Sequence, residues 1–191
     1  MIEKQKINFS DCPEHGREIA LKRALNLLHS IRGEDVEIII VETGCIRNAN
    51  WKISDGHSTL LFGWYCQKYD GRLYTLEIDE NALSLCKKIT SNYKKSITYV
   101  LGDSATNLIN LNLQKIDLLY LDSANNAQVA LDEYNAARHF LHEKSIVVVD
   151  DVVTGNKGKL VGPKLKSDGW DIELIENNDG GGGGSYYCIR K

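Results

Sequence analysis

The sequence predicts an α/β doubly wound fold, a mostly parallel sheet with helices on both faces and an antiparallel hairpin at the C-terminal end. Three observations lead there. Short runs rich in Ile, Val, Leu and Tyr recur at residues 36–42, 73–79, 97–101, 116–122 and 146–150. Their apolarity is continuous rather than alternating, which suits strands covered on both faces. Helical patterns separate these runs, so strand and helix alternate. The tail then changes character, because 171–176 and 186–189 are strand-like runs joined through 177–185 with no helix between them. Such a pair folds back on itself as an antiparallel hairpin.

The elements follow in order. Residues 15–31 carry an apolar stripe through Ala20, Ala24, Leu27, Leu28 and Ile31, a helix placed before the first strand. The first strand leads into Glu42-Thr43-Gly44 and, after a polar loop, Gly56-His57-Ser58-Thr59 opens the next helix. Ala82, Leu85, Cys86 and Ile89 share one face of a further helix, capped by Asp79. Ala130, Tyr134, Ala137 and Leu141 share a face of the helix before the fifth strand. On this reading His139 and His142 lie late on that helix, where a cation favours the dipole. Asn156-Lys157-Gly158-Lys159 reads as a solvated turn, and the glycine run 180–184 as the flexible hairpin tip, placed to act as a mobile lid.

A chain of 191 residues is the size of one domain, with a helical segment at 1–34 and an α/β core at 35–191. Hydrophobic residues at 42% and charged residues at 26% exclude disorder and fibrous structure. The net charge of -3, without clustered Lys and Arg, argues against a nucleic-acid partner. No apolar run is long enough to cross a bilayer and the first ten residues are polar, so a soluble, cytoplasmic protein with no membrane partner is expected. Cys12, Cys45, Cys66, Cys86 and Cys188 are odd in number and widely spaced, as reduced thiols are.

Most core strands end in an acid: Glu42, then Glu77 and Asp79, Asp103 just after the third, Asp122, and the pair Asp150 and Asp151. Ligands of open α/β sheets bind outside the carboxyl ends of the strands, so these acids form a row along one crevice. Such a row repels itself without a cation, which a sulfonium ligand, a ligand ammonium or a divalent metal would supply. The glycines permit close backbone approach, and the helix start with its hydroxyls suits a carboxylate or phosphate. Glu77 follows Gly56 at about the 20-residue interval at which an acid meets a ribose in dinucleotide folds. An adenosine ligand is implied. The dinucleotide and triphosphate glycine motifs are both missing, which disfavours a nicotinamide-dependent oxidoreductase.

From about residue 36 onward the chain resembles class I S-adenosylmethionine-dependent methyltransferases, and most the small O-methyltransferases of catechol and sugar type. The resemblance rests on Glu42 and Gly44, on Gly56-His57-Ser58, on Glu77 within Thr75-Leu76-Glu77-Ile78-Asp79, on Gly102-Asp103-Ser104, and on Asp122 within Leu119-Tyr120-Leu121-Asp122. It implies a Rossmann-like sheet of seven strands and S-adenosyl-L-methionine as cofactor. By the same resemblance Gly56, His57 and Ser58 hold the methionine carboxylate, Glu77 the ribose, and Asp103 and Ser104 the adenine side. Asp122 is the catalytic residue, lying between cofactor and metal. The metal site of the resembling enzymes falls on Asp122, Asp150 and Asp151, an oxygen set suited to Mg2+, Mn2+ or Ca2+.

Three departures stand out. The loop 45–55, with Arg47, Asn48, Asn50, Trp51 and Lys52, is longer than the tight turn of the family, and either covers the cofactor or helps choose the acceptor, or is a solvated insertion. The Lys or His that usually follows the fourth-strand acid is replaced by Ser123-Ala124-Asn125-Asn126, so the usual general base is missing. The last metal position holds Asp151 instead of Asn. The expectation is therefore an O-methyltransferase of a small hydroxylated acceptor, a sugar or natural-product intermediate, assisted by a divalent metal. The missing base leaves a non-catalytic adenosine-ligand-binding domain as the alternative.

Overall fold

The structure is a computed structural model, described for residues 7–13, 18–32, 36–50, 57–176 and 183–190. The elements in chain order are α1 (Glu18–Ile31), β1 (Ile38–Thr43), α2 (Ser58–Lys68), β2 (Gly71–Glu77), α3 (Glu80–Ile89), β3 (Ile97–Leu101) and α4 (Ser104–Asn110). They continue with β4 (Ile116–Leu121), α5 (Ala127–Ala137), β5 (Leu141–Val149), α6 (Gly158–Ser167), β6 (Asp171–Glu176) and β7 (Gly184–Ile189). All seven strands form one sheet in the order β3-β2-β1-β4-β5-β7-β6. The first five strands run parallel, and β7 is antiparallel to both β5 and β6. The Rossmann-like doubly wound sheet with its closing hairpin is thus as the sequence predicts.

Successive side chains of a strand point to opposite faces, and here both faces are buried. Ile38 and Ile40 of β1, Leu118 and Tyr120 of β4 and Ile146 and Val148 of β5 pack under α1 and α2. Their neighbours Ile39 and Val41, Leu119 and Leu121, and Val147 and Val149 pack under α4, α5 and α6. That double burial is why the runs are apolar throughout. Side-chain caps fix the helix starts: Asp79 accepts from Asn81 N and Ala82 N before α3, Asp103 from Thr106 N before α4, and Asn126 from Gln128 N and Val129 N before α5.

One boundary differs from the sequence reading. β5 starts at Leu141, so Leu141 and His142 belong to the strand and not to the preceding helix, which gives way to a short 3₁₀ turn over Arg138–Phe140. The register between β4 and β5 shifts between Ile116 and Leu118, leaving a polar bulge at residues 142–145. Side chains satisfy the bulge: Ser145 Oγ donates to Ile116 O at 2.6 Å, His142 N donates to Ser145 Oγ at 2.8 Å, and His142 Nε2 meets Asp117 Oδ1 at 2.9 Å. Periodicity alone does not reveal such local bonds.

β1 has β2 on one side and β4 on the other, and the chain reverses direction of winding there. In open sheets the crevice outside the carboxyl ends of the strands at this switch point takes the ligand. The loops after β1, β2, β3, β4 and β5 therefore converge on one edge. Gly56, residues 51–55 and residues 180–182 of the glycine run lie outside the described residues. Among the described residues no helix is long and apolar enough to cross a membrane.

Candidate active site

The loop after β1 is set by Gly44, at φ +84°, a conformation that favours glycine. A Cβ there would stand 2.5 Å from Asp122 O, so the backbone of β1 and that of β4 approach as closely as only glycine allows. Gly44 N donates to Leu76 O at 2.8 Å, and Asp122 N donates to Thr43 O at 3.1 Å. Three strand ends are thereby tied together. Around them lies a cleft of about 290 Å³, lined by Gly44, Arg47, Glu77, Asp103, Ser104 and Asp122 among others. Ile78, 72% exposed, adds an apolar wall to the same cleft.

Glu42, His57 and Ser58 do not line the cleft but support it. Glu42 is 1% exposed and accepts hydrogen bonds from Ser58 Oγ and, at 3.0 Å, from Thr75 Oγ1. Burial pushes its carboxyl up to about 8, against the pull of those hydroxyls. The Ser58 hydroxyl thus has a partner inside the protein. His57 sits at φ 46° and donates from Nε2 to Asn48 O at 2.9 Å, pinning the loop after β1 to the start of α2.

Asp103 caps α4, and the hydrogen bonds from Thr106 hold its carboxyl below the usual range. Ser104 Oγ donates to Glu133, a residue of α5 that the sequence reading did not single out. Glu133 is 1% exposed and also accepts from Thr43 Oγ1 at 3.0 Å. Burial raises its pKa while the hydroxyls of Ser104, Ser123 and Thr43 oppose the rise. The only hint in the sequence is a carboxylate beside the apolar stripe of that helix.

Asp122, Asp150 and Asp151 come together as expected, each with a ligand oxygen within 4.8 Å of the others. Asp150 accepts from Ser185 Oγ at 2.7 Å, and Tyr120 OH lies 3.2 Å from both Asp150 Oδ2 and Asp122 Oδ2. The cluster also contains a residue the sequence reading placed in solvent. Lys157, 1% exposed, donates from Nζ to Asp122 Oδ1 at 2.7 Å and lies 3.7 Å from Asp151 Oδ2. The stretch 156–159 is therefore no solvated turn at Lys157 and Gly158, both of which are buried. A lysine at a helix start opposes the helix dipole, which was the available signal that this side chain has a carboxylate partner.

Burial lowers the tendency of Lys157 to stay charged, yet the carboxylates of Asp122, Asp151 and Asp150 together hold it above its ordinary pKa. Burial pushes Asp122 up to about 6, with Lys157 lowering it and the neighbouring aspartates raising it. Three oxygen donors match a hard divalent cation in number and type. With the Lys157 ammonium at hydrogen-bond distance from Asp122, however, that cation would have to enter a space already holding positive charge, and the donor set does not fit it in this arrangement. None of the five cysteines forms a disulfide, and burial pushes the thiols of Cys66 and Cys188 up.

The doubly wound sheet, its closing hairpin and a cleft bounded by Gly44, Glu77, Asp103 and Asp122 define a class I S-adenosylmethionine-dependent methyltransferase. A family model for the methyltransferase domain matches residues 53–152, and the chain belongs to that family. No curated protein sequence matches it. Among solved structures it is similar to the O-methyltransferase NovP, with TM-score 0.60 and 14% identity over 89% of this chain and 79% of that one. It is similar to precorrin-6y C5,15-methyltransferase from Geobacter metallireducens GS-15, with TM-score 0.63 and 13% identity over 90% and 87% of the two chains. Fibrillarin from Aeropyrum pernix, solved with natively bound S-adenosyl-L-methionine, gives TM-score 0.58 and 16% identity over 80% of this chain and 66% of that one. At these identities the likeness speaks for the fold.

Proposed function

We propose that this methyltransferase transfers the methyl group to the hydroxyl oxygen of a small acceptor, a sugar or natural-product intermediate. The observation that carries the proposal is the placement of Asp122, which lines the cofactor cleft on one side and joins the Tyr120, Lys157 and Asp150 cluster on the other. S-adenosylmethionine supplies an electrophilic methyl group on a sulfonium. In this reading Gly44 lets the ligand approach the backbone, Glu77 accepts the ribose hydroxyls, and His57 and Ser58 support the methionine end from behind the cleft. Asp103 and Ser104 border the adenine side.

The acceptor hydroxyl binds on the far side of Asp122. Its oxygen forms the new bond to the methyl carbon as the carbon–sulfur bond breaks, the electron pair going to sulfur and the hydroxyl proton to the Asp122 carboxylate. A carboxyl at about 6 is a base matched to neutral pH. Most of the acceleration comes from holding the two reactants in line. Asp122 as proton acceptor takes the task of the Lys or His missing after β4, which supports a catalytic reading over the non-catalytic alternative.

The binding test is calorimetric. S-adenosylhomocysteine binds, and NAD does not; Glu77→Ala weakens the first by about 1.5–3 kcal/mol, the worth of a hydrogen bond to a charged group. Unchanged affinity in that variant places the ribose elsewhere. The reaction is tested by mass spectrometry of hydroxylated acceptors incubated with S-adenosylmethionine, and methylation at nitrogen or carbon alone, with every alcohol left unmodified, overturns the oxygen assignment.

A further inference from the structure

We propose that the ammonium of Lys157 is the resident cation of the Asp122, Asp150 and Asp151 cluster, taking the place of a divalent metal, so that this site works metal-free. The inference deepens the reading of the active site given above and rests on it only for what the cluster serves. Three independent features carry it. First, the ammonium lies inside the cluster: Nζ is 2.7 Å from Asp122 Oδ1 and 3.7 Å from Asp151 Oδ2, on a side chain 1% exposed. A lysine buried to that degree is retained only where carboxylates repay its lost hydration.

Second, protein hydroxyls also meet oxygens of Asp150 and Asp122. Asp150 accepts from Ser185 Oγ at 2.7 Å, and Tyr120 OH stands 3.2 Å from an oxygen of Asp150 and from one of Asp122. A hard cation needs several such oxygens to turn toward it at once, and would stand within a few ångströms of the ammonium.

Third, the loop that carries the lysine is locked to the loop after β4. Asn156 N donates to Asn125 Oδ1 at 2.7 Å, and a Cβ on Gly155 would stand 2.3 Å from that same oxygen and 2.2 Å from Asp151 O. No residue but glycine fits there. Asn125 belongs to the Ser-Ala-Asn-Asn stretch that stands after the β4 acid, and its amide oxygen receives the backbone of the β5–α6 loop two residues or fewer from Lys157. The lysine is thus delivered from the loop after β5, with the loop after β4 as its clamp. Lys157 is a positioning residue here: it neutralises the cluster and fixes the Asp122 carboxylate at the mouth of the cleft.

The test is uptake of Mn2+, followed by loss of the free-ion electron paramagnetic resonance signal, with protein first stripped by chelator and then dialysed. Wild-type protein is expected to leave the signal undiminished at equimolar metal, whereas Lys157→Ala, which empties the centre of the cluster, takes up one ion at least about tenfold more tightly than wild type. A merely structural lysine would give no such gain. S-adenosylhomocysteine binding by calorimetry accompanies each sample, so failure of the cofactor reading shows as lost nucleoside binding and failure of the present one as metal uptake. One Mn2+ per wild-type chain, lost in Asp151→Asn, overturns the proposal, and so does a folded Lys157→Ala protein that takes up none. If the alanine variant does not fold, the wild-type titration alone decides: an undiminished signal supports the lysine as the cation, and stoichiometric uptake refutes it.

Discussion

Glu42→Gln tests whether the carboxyl at the end of β1 is held protonated near neutral pH. Glu42 is 1% exposed, is bonded by the Ser58 and Thr75 hydroxyls, and is pushed by burial to about 8 from an ordinary value of 4.5. The folded pKa lies above the unfolded one, so the folded chain binds the extra proton. This group's contribution is full below the ordinary value of 4.5 and is lost as the pH rises toward about 8. Each pH unit within the window is worth about 1.4 kcal/mol, which makes the loss between about pH 6 and pH 7.5 roughly 2 kcal/mol. The amide of the variant keeps an oxygen for one of the two hydroxyls and does not titrate. Urea unfolding of ligand-free wild type and variant at closely spaced pH values measures the difference directly, because groups such as Asp122 act in both proteins and cancel. The variant should gain about 2 kcal/mol on wild type across that interval. Parallel stability curves would refute the reasoning and show Glu42 ionised and compensated in the folded protein.

Two further substitutions probe the frame of the cleft. Gly44→Ala forces a side chain into φ +84° and to 2.5 Å from Asp122 O, so it should cost at least about 1–3 kcal/mol and abolish S-adenosylhomocysteine binding by calorimetry; a folded variant with native affinity would show the close approach to be dispensable. Glu133→Ala strips the acceptor from the hydroxyls of Thr43 and Ser104, and denaturant unfolding should register about 1–3 kcal/mol for each buried donor left unpaired. Full retention of stability would mean that those hydroxyls find other acceptors.

The architecture was legible because each of its causes is local. Two-sided burial makes 38–41, 118–121 and 146–149 apolar at every position, and Asp79 announces a helix start by its own hydrogen bonds to Asn81 N and Ala82 N. The acids that close the strands were legible for the same reason, since a strand's end and the crevice beyond it follow from the order of elements. Where reading failed, distant partners decided. His142 looked helical beside Tyr134 and Ala137, but Asp117 from the neighbouring strand draws it into the bulge of β5. That Glu42 accepts from the Ser58 hydroxyl and Glu133 from that of Ser104 was not legible either, because those partners lie 16 and 29 positions away.

Lys157 shows the division most sharply. Its own neighbours, Asn156 and Gly158, are small or polar and describe a turn. Thirty-five positions separate it from Asp122, and nothing in that interval marks the pair. The sequence by itself determined the sheet, the row of carboxylates at its edge and their need for a counter-charge, because hydrophobic period, caps and like-charge repulsion act between residues whose relation is set by the backbone. Only the tertiary structure decided which cation meets that need, because a salt bridge across two loops depends on how Gly155 and Asn125 pack them together, and the energy of that contact resides in neither segment alone.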